Sequence, residues 1–307
     1  MAAILAQGGR YRTELTDELV STFAQAEGLN PDFVNITVGS TPPLALSVLA
    51  FTSPQRSYVT GDPGFELGMM TAERSGARVV KVPLTKHYAH DVKAMLAAAP
   101  DGGVFYICNP NNPTGTLTAH EDIEYLVANK PKDSVVVIDE AYLHFTEIQS
   151  AVDLVKAGKD VIVLRTFSKV YGLAGIRCGV LIARPDLSEK VLQRGGFNFM
   201  PVTAVVAATA SLKEPGLVAE RRQINMGVRQ QTFKWLEQNG FSYIPSEANC
   251  FMIDVKRPGK QVRDAMANEN VLIGRTWPIM PTYVRVTVGT QEEMSRFATA
   301  FYKVMKA

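Results

Sequence analysis

Apolar positions along the chain fall into two textures. Short, nearly unbroken runs at 34–38, 57–60, 77–82, 104–108, 135–138, 161–164 and 178–182 have the length and β-branched content of buried strands. Helical spacing lies between most of them. Residues 12–28 place Leu15, Leu19, Val20, Phe23 and Ala24 on one stripe, with Gly28 as a stop, and further helices are predicted at 41–51, 65–75, 91–98, 119–129 and 150–157. Pro42 and Pro43 are tolerated near the start of the second helix, because first-turn amides have no helical partner. Strands alternating with helices predict an α/β fold with a mostly parallel sheet covered on both faces. Such sheets bind ligands beyond the carboxyl ends of their strands. The polar clusters Gly39-Ser-Thr41, Asn109 to Thr116, Asp139 to Tyr142 and Thr166 to Lys169 each follow a predicted strand.

The texture changes near residue 200. A long helical region over 202–238, interrupted near Pro215 and closed by Gly240, precedes a strand at 250–255, a helix at 259–268, a strand at 284–288 and a helix at 291–305. The pattern predicts a large domain over 16–205 and a smaller α+β domain over 206–307, after an N-terminal segment, 1–15.

Composition narrows the classes. Hydrophobic content of 46%, charged content of 20% and a net charge of +2 suit a soluble globular protein and give no reason to invoke nucleic acid or an anionic membrane. No apolar run approaches the roughly 18 residues of a membrane span, and the start lacks the basic flank of a secretory signal. Cys108, Cys178 and Cys250 stand singly in apolar surroundings without metal-ligand spacing, as buried reduced thiols of a cytoplasmic protein would. No metal site is expected.

The chemistry concentrates in Arg165-Thr-Phe-Ser-Lys-Val-Tyr-Gly-Leu-Ala-Gly-Ile-Arg177, after a buried strand. A lysine held in apolar surroundings has a lowered pKa and becomes a nucleophilic amine, able to hold an aldehyde as a Schiff base. Thr166, Ser168 and Arg177 are donor types that hold a phosphate. Together with Lys169 they describe a seat for pyridoxal 5′-phosphate (PLP), although alone the stretch also fits a surface loop with a solvated lysine. Asp139 ends the apolar run at 135–138, where a carboxylate is costly to bury unless it meets a cation or a strong donor. A protonated pyridine nitrogen is such a partner; a helix cap is the alternative. Asn109-Pro-Asn-Asn-Pro-Thr-Gly-Thr116 is dense in turn formers and aims Asn112 into the crevice at the strand ends. Tyr142 lies three residues beyond Asp139, where it and Asn112 could reach the cofactor's phenolic oxygen.

With these motifs in one order, the chain resembles the class I/II aminotransferases of PLP fold type I, and within them the histidinol-phosphate aminotransferase group. The resemblance runs from Arg10-Tyr11 to the final helix. It rests on Asn-Pro-Asn-Asn-Pro-Thr-Gly at 109–115, Asp-Glu-Ala-Tyr at 139–142, Ser-Lys through Leu-Ala-Gly-Ile-Arg at 168–177, and Arg-Val-Thr-Val-Gly-Thr at 285–290. It implies a seven-stranded sheet, Lys169 as the Schiff-base amine and proton shuttle, and Asp139 on the pyridine nitrogen. Asn112 and Tyr142 would bind the phenolic oxygen. Ser40, Thr41, Thr166, Ser168 and Arg177 would bind the phosphate, Phe65 would stack on the ring, and Arg285 would clamp a substrate α-carboxylate. Tyr11 would reach the phosphate of a neighbouring subunit's cofactor, which implies a homodimer. The implied substrates are an amino acid or amino-alcohol phosphate and a 2-oxo acid such as 2-oxoglutarate. β-Lyases, decarboxylases and inactive PLP-binding relatives share the fold and stay open. Only nine residues precede Arg10, where the resemblance implies some tens that help cover the site. No second basic residue can be assigned to a substrate phosphate.

Overall fold

The computed structural model describes residues 9–195 and 199–306. Seven strands form the first sheet: β1 (Val34–Thr37), β2 (Ser57–Asp62), β3 (Val79–Pro83), β4 (Gly102–Cys108), β5 (Val135–Asp139), β6 (Val161–Thr166) and β7 (Gly179–Ile182). Their order is β1-β7-β6-β5-β4-β2-β3. All neighbours are parallel except those of β7, which runs against both β6 and β1. All seven apolar runs of the sequence therefore became strands of one sheet. The sheet is covered by α1 (Thr13–Glu27), α2 (Thr41–Phe51), α3 (Leu67–Arg74), α4 (Val92–Ala98), α5 (His120–Asn129), α6 (Val152–Lys156), α7 (Pro185–Leu192) and α8 (Val202–Lys213). The helix α7 was not among the expected elements. The central strands carry the core. Val135, Val136, Val137 and Ile138 are wholly buried, and burial contributes about 1.5–3 kcal/mol for each such side chain.

The remaining chain forms α9 (Leu217–Gln238), β8 (Ser242–Ile244), β9 (Cys250–Asp254), α10 (Gly259–Asn268), β10 (Tyr283–Thr287) and α11 (Gln291–Lys306). Its strands make an antiparallel sheet in the order β10-β9-β8, one strand more than expected. A separate apolar cluster unites Leu236, Phe251, Ile253, Val284, Val286 and Phe301. The expected boundary at 205 falls inside α8. Its buried Ala204, Val205 and Ala208 belong to the first core, and α8 packs on α1. The change of core lies along α9, whose Leu217 and Val218 lean on the first cluster while Val228 and Leu236 enter the second. Among the described residues, no single helix is long and apolar enough to cross a membrane. The three cysteines are buried and free.

Candidate active site

The carboxyl ends of β1, β4, β5 and β6 open into one cavity of about 270 Å³. Its lining includes Ser40, Thr41, Phe65, Asn112, Asp139, Tyr142, Thr166, Ser168, Lys169, Arg177 and Arg285. Every residue singled out for the site from the sequence is thus on this wall, apart from Tyr11. Parallel strands explain the convergence, since they deliver their following loops to the same edge of the sheet.

At one end the donors crowd together. Thr166 Oγ1 donates to Ser168 Oγ at 2.8 Å, and Arg177 Nη1 lies 3.4 Å from the same Ser168 oxygen. Arg177 also donates to the carbonyls of Ala174, at 2.7 Å, and Val38, at 3.3 Å. The guanidinium is seated by a missing side chain. Gly39 has φ +85°, and a Cβ there would stand 2.3 Å from Arg177 Nη2, so only glycine suits both backbone and neighbour. A Cβ on Gly179 would likewise meet Ser40 N at 2.7 Å. Ser40 and Thr41 sit at the start of α2, where Ser40 caps no backbone group with its side chain. Hydroxyls, a guanidinium and a helix start at one end of a cavity form an anion seat.

Deeper in, Lys169 Nζ lies 5.2 Å from the centre of the Tyr142 ring. Burial, with the Arg285 charge adding to it, holds its ammonium pKa below the ordinary lysine range. Asp139 is buried at the end of β5. Its Oδ1 accepts from the N–H of Ala141 at 3.1 Å and its Oδ2 from Tyr106 Oη at 3.0 Å. Burial raises its carboxyl to about 6, opposed by these two hydrogen bonds and by the Lys169 charge. It caps the following turn through Ala141, and it also lines the cavity.

The opposite wall comes from the second sheet. Period-2 alternation in β10 buries Val284 and Val286 and leaves Tyr283, Arg285 and Thr287 on the other face. Arg285 Nη1 donates to Asn112 Oδ1 at 2.8 Å, and its guanidinium carbon lies 5.8 Å from the centre of the Trp277 ring. The turn bearing Asn112 is held from the same side, since Glu247 N donates to the Gly115 carbonyl at 2.8 Å. Arg275, which sequence reasoning passed over, also lines the cavity. It pairs with Glu66, beside Phe65, while Trp277 Nε1 donates to the Gly64 carbonyl at 3.0 Å. Its loop has no periodicity to mark it. Cys108 and Tyr106 were read only as core. Tyr11 lies outside the cavity, 80% exposed, its ring centre 5.5 Å from that of Phe199.

Residues 7–301 match the family described as aminotransferase class I and II. The chain belongs to that family. Among curated relatives of this aminotransferase, histidinol-phosphate aminotransferase of Moorella thermoacetica is 34% identical over 281 residues, 88% of this chain and 72% of the relative. Histidinol-phosphate aminotransferase 2 of Haemophilus influenzae is 34% identical over 308 residues, 97% and 82% of the two chains. The crystal structure of histidinol-phosphate aminotransferase from Sinorhizobium meliloti, in complex with pyridoxal-5′-phosphate, superposes with a TM-score of 0.90. It covers 99% of this chain and 85% of that one at 22% identity. The fold of the aminotransferase described here is therefore fold type I, with the seven-stranded sheet expected of it.

Proposed function

We propose that this family member is a PLP-dependent aminotransferase. It would move an amino group between an amino acid, or an amino-alcohol phosphate of the histidinol-phosphate kind, and a 2-oxo acid such as 2-oxoglutarate. One observation carries this reading: a cavity that joins an amine of lowered pKa, a buried carboxylate and a separate anion seat. The donor set fits the cofactor, with Thr166, Ser168, Arg177, Ser40 and Thr41 for its phosphate, Asp139 for its ring nitrogen and Lys169 for its aldehyde.

When bound, the cofactor supplies an electrophilic carbon for the amine and a cationic ring that accepts the electrons of a broken Cα–H bond. The protein's own groups do the rest. Lys169 Nζ would hold the aldehyde at rest and carry the proton that leaves the substrate Cα. Ionised Asp139 would keep the ring nitrogen protonated. Asn112 and Tyr142 would hold the phenolic oxygen, and Phe65 would pack against the ring. Arg285 binds a carboxylate in a fork, exchanging its present partner Asn112 for the ligand. An amino-alcohol phosphate has no α-carboxylate, so Arg285 and Arg275 together would meet its phosphate; a 2-oxo acid offers carboxylates to the same pair. The working form is a cytoplasmic homodimer in which Tyr11 reaches the partner's site.

The test is a panel of amino donors, histidinol phosphate and aromatic amino acids among them, with 2-oxoglutarate as acceptor. Glutamate formed in equal amount to donor consumed is the expected result. Release of pyruvate or carbon dioxide in its place would move the enzyme to the lyase or decarboxylase class.

A further inference from the structure

Tyr106 is the one fully buried side chain outside the cavity lining that donates a hydrogen bond to a group inside it, among the described residues. It sits in the middle of β4, two residues before Cys108, and Cys108 lies in register with Asp139 of β5. Tyr106, Cys108 and Asp139 therefore share one face of the sheet, and the phenol reaches the carboxylate from the core side. Among the described residues, the Asp139 carboxylate receives two donors, Tyr106 Oη and the Ala141 N–H. The second belongs to the backbone of its own turn. Tyr106 is the side-chain donor of the two, which a substitution can remove without touching the backbone of the turn.

We infer that Tyr106 is a positioning residue for the ring-nitrogen site: its hydroxyl holds Asp139 Oδ2 so that the carboxylate is aimed at the cavity and stays ionised at neutral pH. This rests on the PLP reading above, but its first test does not need the cofactor. Burial alone drives the Asp139 carboxyl upward, and a hydrogen bond donated to the ionised form opposes that drive. The phenol is a constant donor, because burial and the Asp139 charge hold its own pKa well above the ordinary tyrosine range. The other titratable groups facing Asp139 are Lys169, Glu140, Tyr142, Cys108 and Tyr58. Of these, Lys169 alone favours the carboxylate. Glu140 is occupied elsewhere, by Arg165, Ser150 and the Ala151 N–H.

Tyr106→Phe keeps the ring and removes the oxygen. The first measurement is urea unfolding of the cofactor-free chain across pH 5 to 8. A carboxylate whose folded pKa lies above its unfolded value costs stability as pH rises between the two, and the cost then levels. In the wild type that rise ends near the folded value of about 6. In the variant it should continue, so the ratio of the two unfolding constants stays flat below about pH 5 and climbs about tenfold for each unit of further shift. In an Asp139→Asn background the same substitution should give a flat ratio. The second measurement compares binding of PLP with its 1-deaza analogue, which has carbon at the ring-nitrogen position. PLP should lose about 10- to 100-fold in affinity, the range for a hydrogen bond to a charged group, and the analogue far less. If Tyr106→Phe fails to fold, the double variant decides, since removing the carboxylate should restore folding. Parallel pH curves, equal losses for the two ligands, or a double variant as unstable as the single one would each overturn the inference. A wild-type chain that binds neither ligand, with diverging pH curves, would overturn the PLP reading and leave the Tyr106–Asp139 coupling standing.

Discussion

Arg285 and Asn112 lie 173 residues apart in the chain and share a 2.8 Å hydrogen bond across the cavity. The guanidinium is thus held at the site before any substrate arrives, with its Nε buried and without a hydrogen-bond partner among the described residues. An arriving carboxylate would satisfy that nitrogen. Arg285→Lys keeps the charge but loses the fork, so amino-acid donors should lose about 1.5–3 kcal/mol of binding, the range for a hydrogen bond to a charged group. The decarboxylated amine of the same donor should be little affected. Rapid-mixing measurement of binding by both ligands checks this, and equal losses would make Arg285 structural.

Asp139→Asn should leave PLP bound but slow the proton-transfer step. The ring charge matters most as electrons flow into it, which places the effect on the transition state. A loss of roughly 100- to 1,000-fold is expected for removing one such electrostatic group. Single-turnover kinetics with a donor deuterated at Cα are the check. Near-normal rates would leave Asp139 as a turn cap through Ala141 alone.

Lys169 should be the residue on which borohydride fixes the cofactor covalently. Because its ammonium pKa is held low by burial, capture of PLP by the cofactor-free chain should be half-maximal below the ordinary lysine value of about 10.4. The free amine is the reacting form, so the rate should rise with pH and reach its plateau early. Peptide mapping after reduction, across a pH series, tests both statements. An adduct on another lysine would contradict them.

Gly39→Ala should weaken cofactor binding as well as stability. The backbone at φ +85° disfavours any side chain, and the new Cβ would push against Arg177. Strain of about 1–3 kcal/mol is expected, together with a weaker hold on PLP. Gly76→Ala is the control, having φ +80° with nothing within 4 Å. It should lose stability without losing the cofactor, as urea unfolding and a PLP titration would report.

Tyr11 is exposed and away from its own chain's cavity, as a residue acting in another subunit would be. Mixing Tyr11→Phe with Lys169→Ala subunits should regenerate sites carrying both wild-type residues. Recovered activity, alongside a dimer in light scattering, is the expected outcome. A monomer would end the proposal.

Strands β4 to β7 were legible because they are buried along their whole length and read as nearly unbroken apolar runs, while β3 at the sheet edge was legible from Val79, Val80 and Val82 despite the exposed Lys81. β8 was not, since Ser242 is exposed, Tyr243 half-buried and only Ile244 buried. In α7, Pro185 at the first position and Leu187 four before Val191 form a signal, but eight residues hold only one repeat of it. The site residues from the strand ends were legible as polar clusters after apolar runs. Tyr106 was hidden for the opposite reason: it lies inside such a run, and the reach of its hydroxyl depends on the neighbouring strand. Arg275 depends on a loop whose path is set by the Trp277 and Glu66 contacts, which no spacing along the chain records.

The antiparallel pairing of β6 with β7 has a consequence for the loop that carries Lys169. Thr166 and Gly179 face each other in the ladder, so the excursion between them leaves and re-enters the sheet at one point, closed at its base like a clasp. Inside it, Leu173 N bonds to the Phe167 carbonyl and Gly172 N to that of Lys169. Backbone entropy of the loop is therefore lost when the sheet forms, before any ligand binds. The loop is stitched to itself and to the strands it springs from, and a tie from Arg221 Nη1 of α9 to the Val170 carbonyl at 3.0 Å links the lysine's neighbour to the chain beyond the sheet.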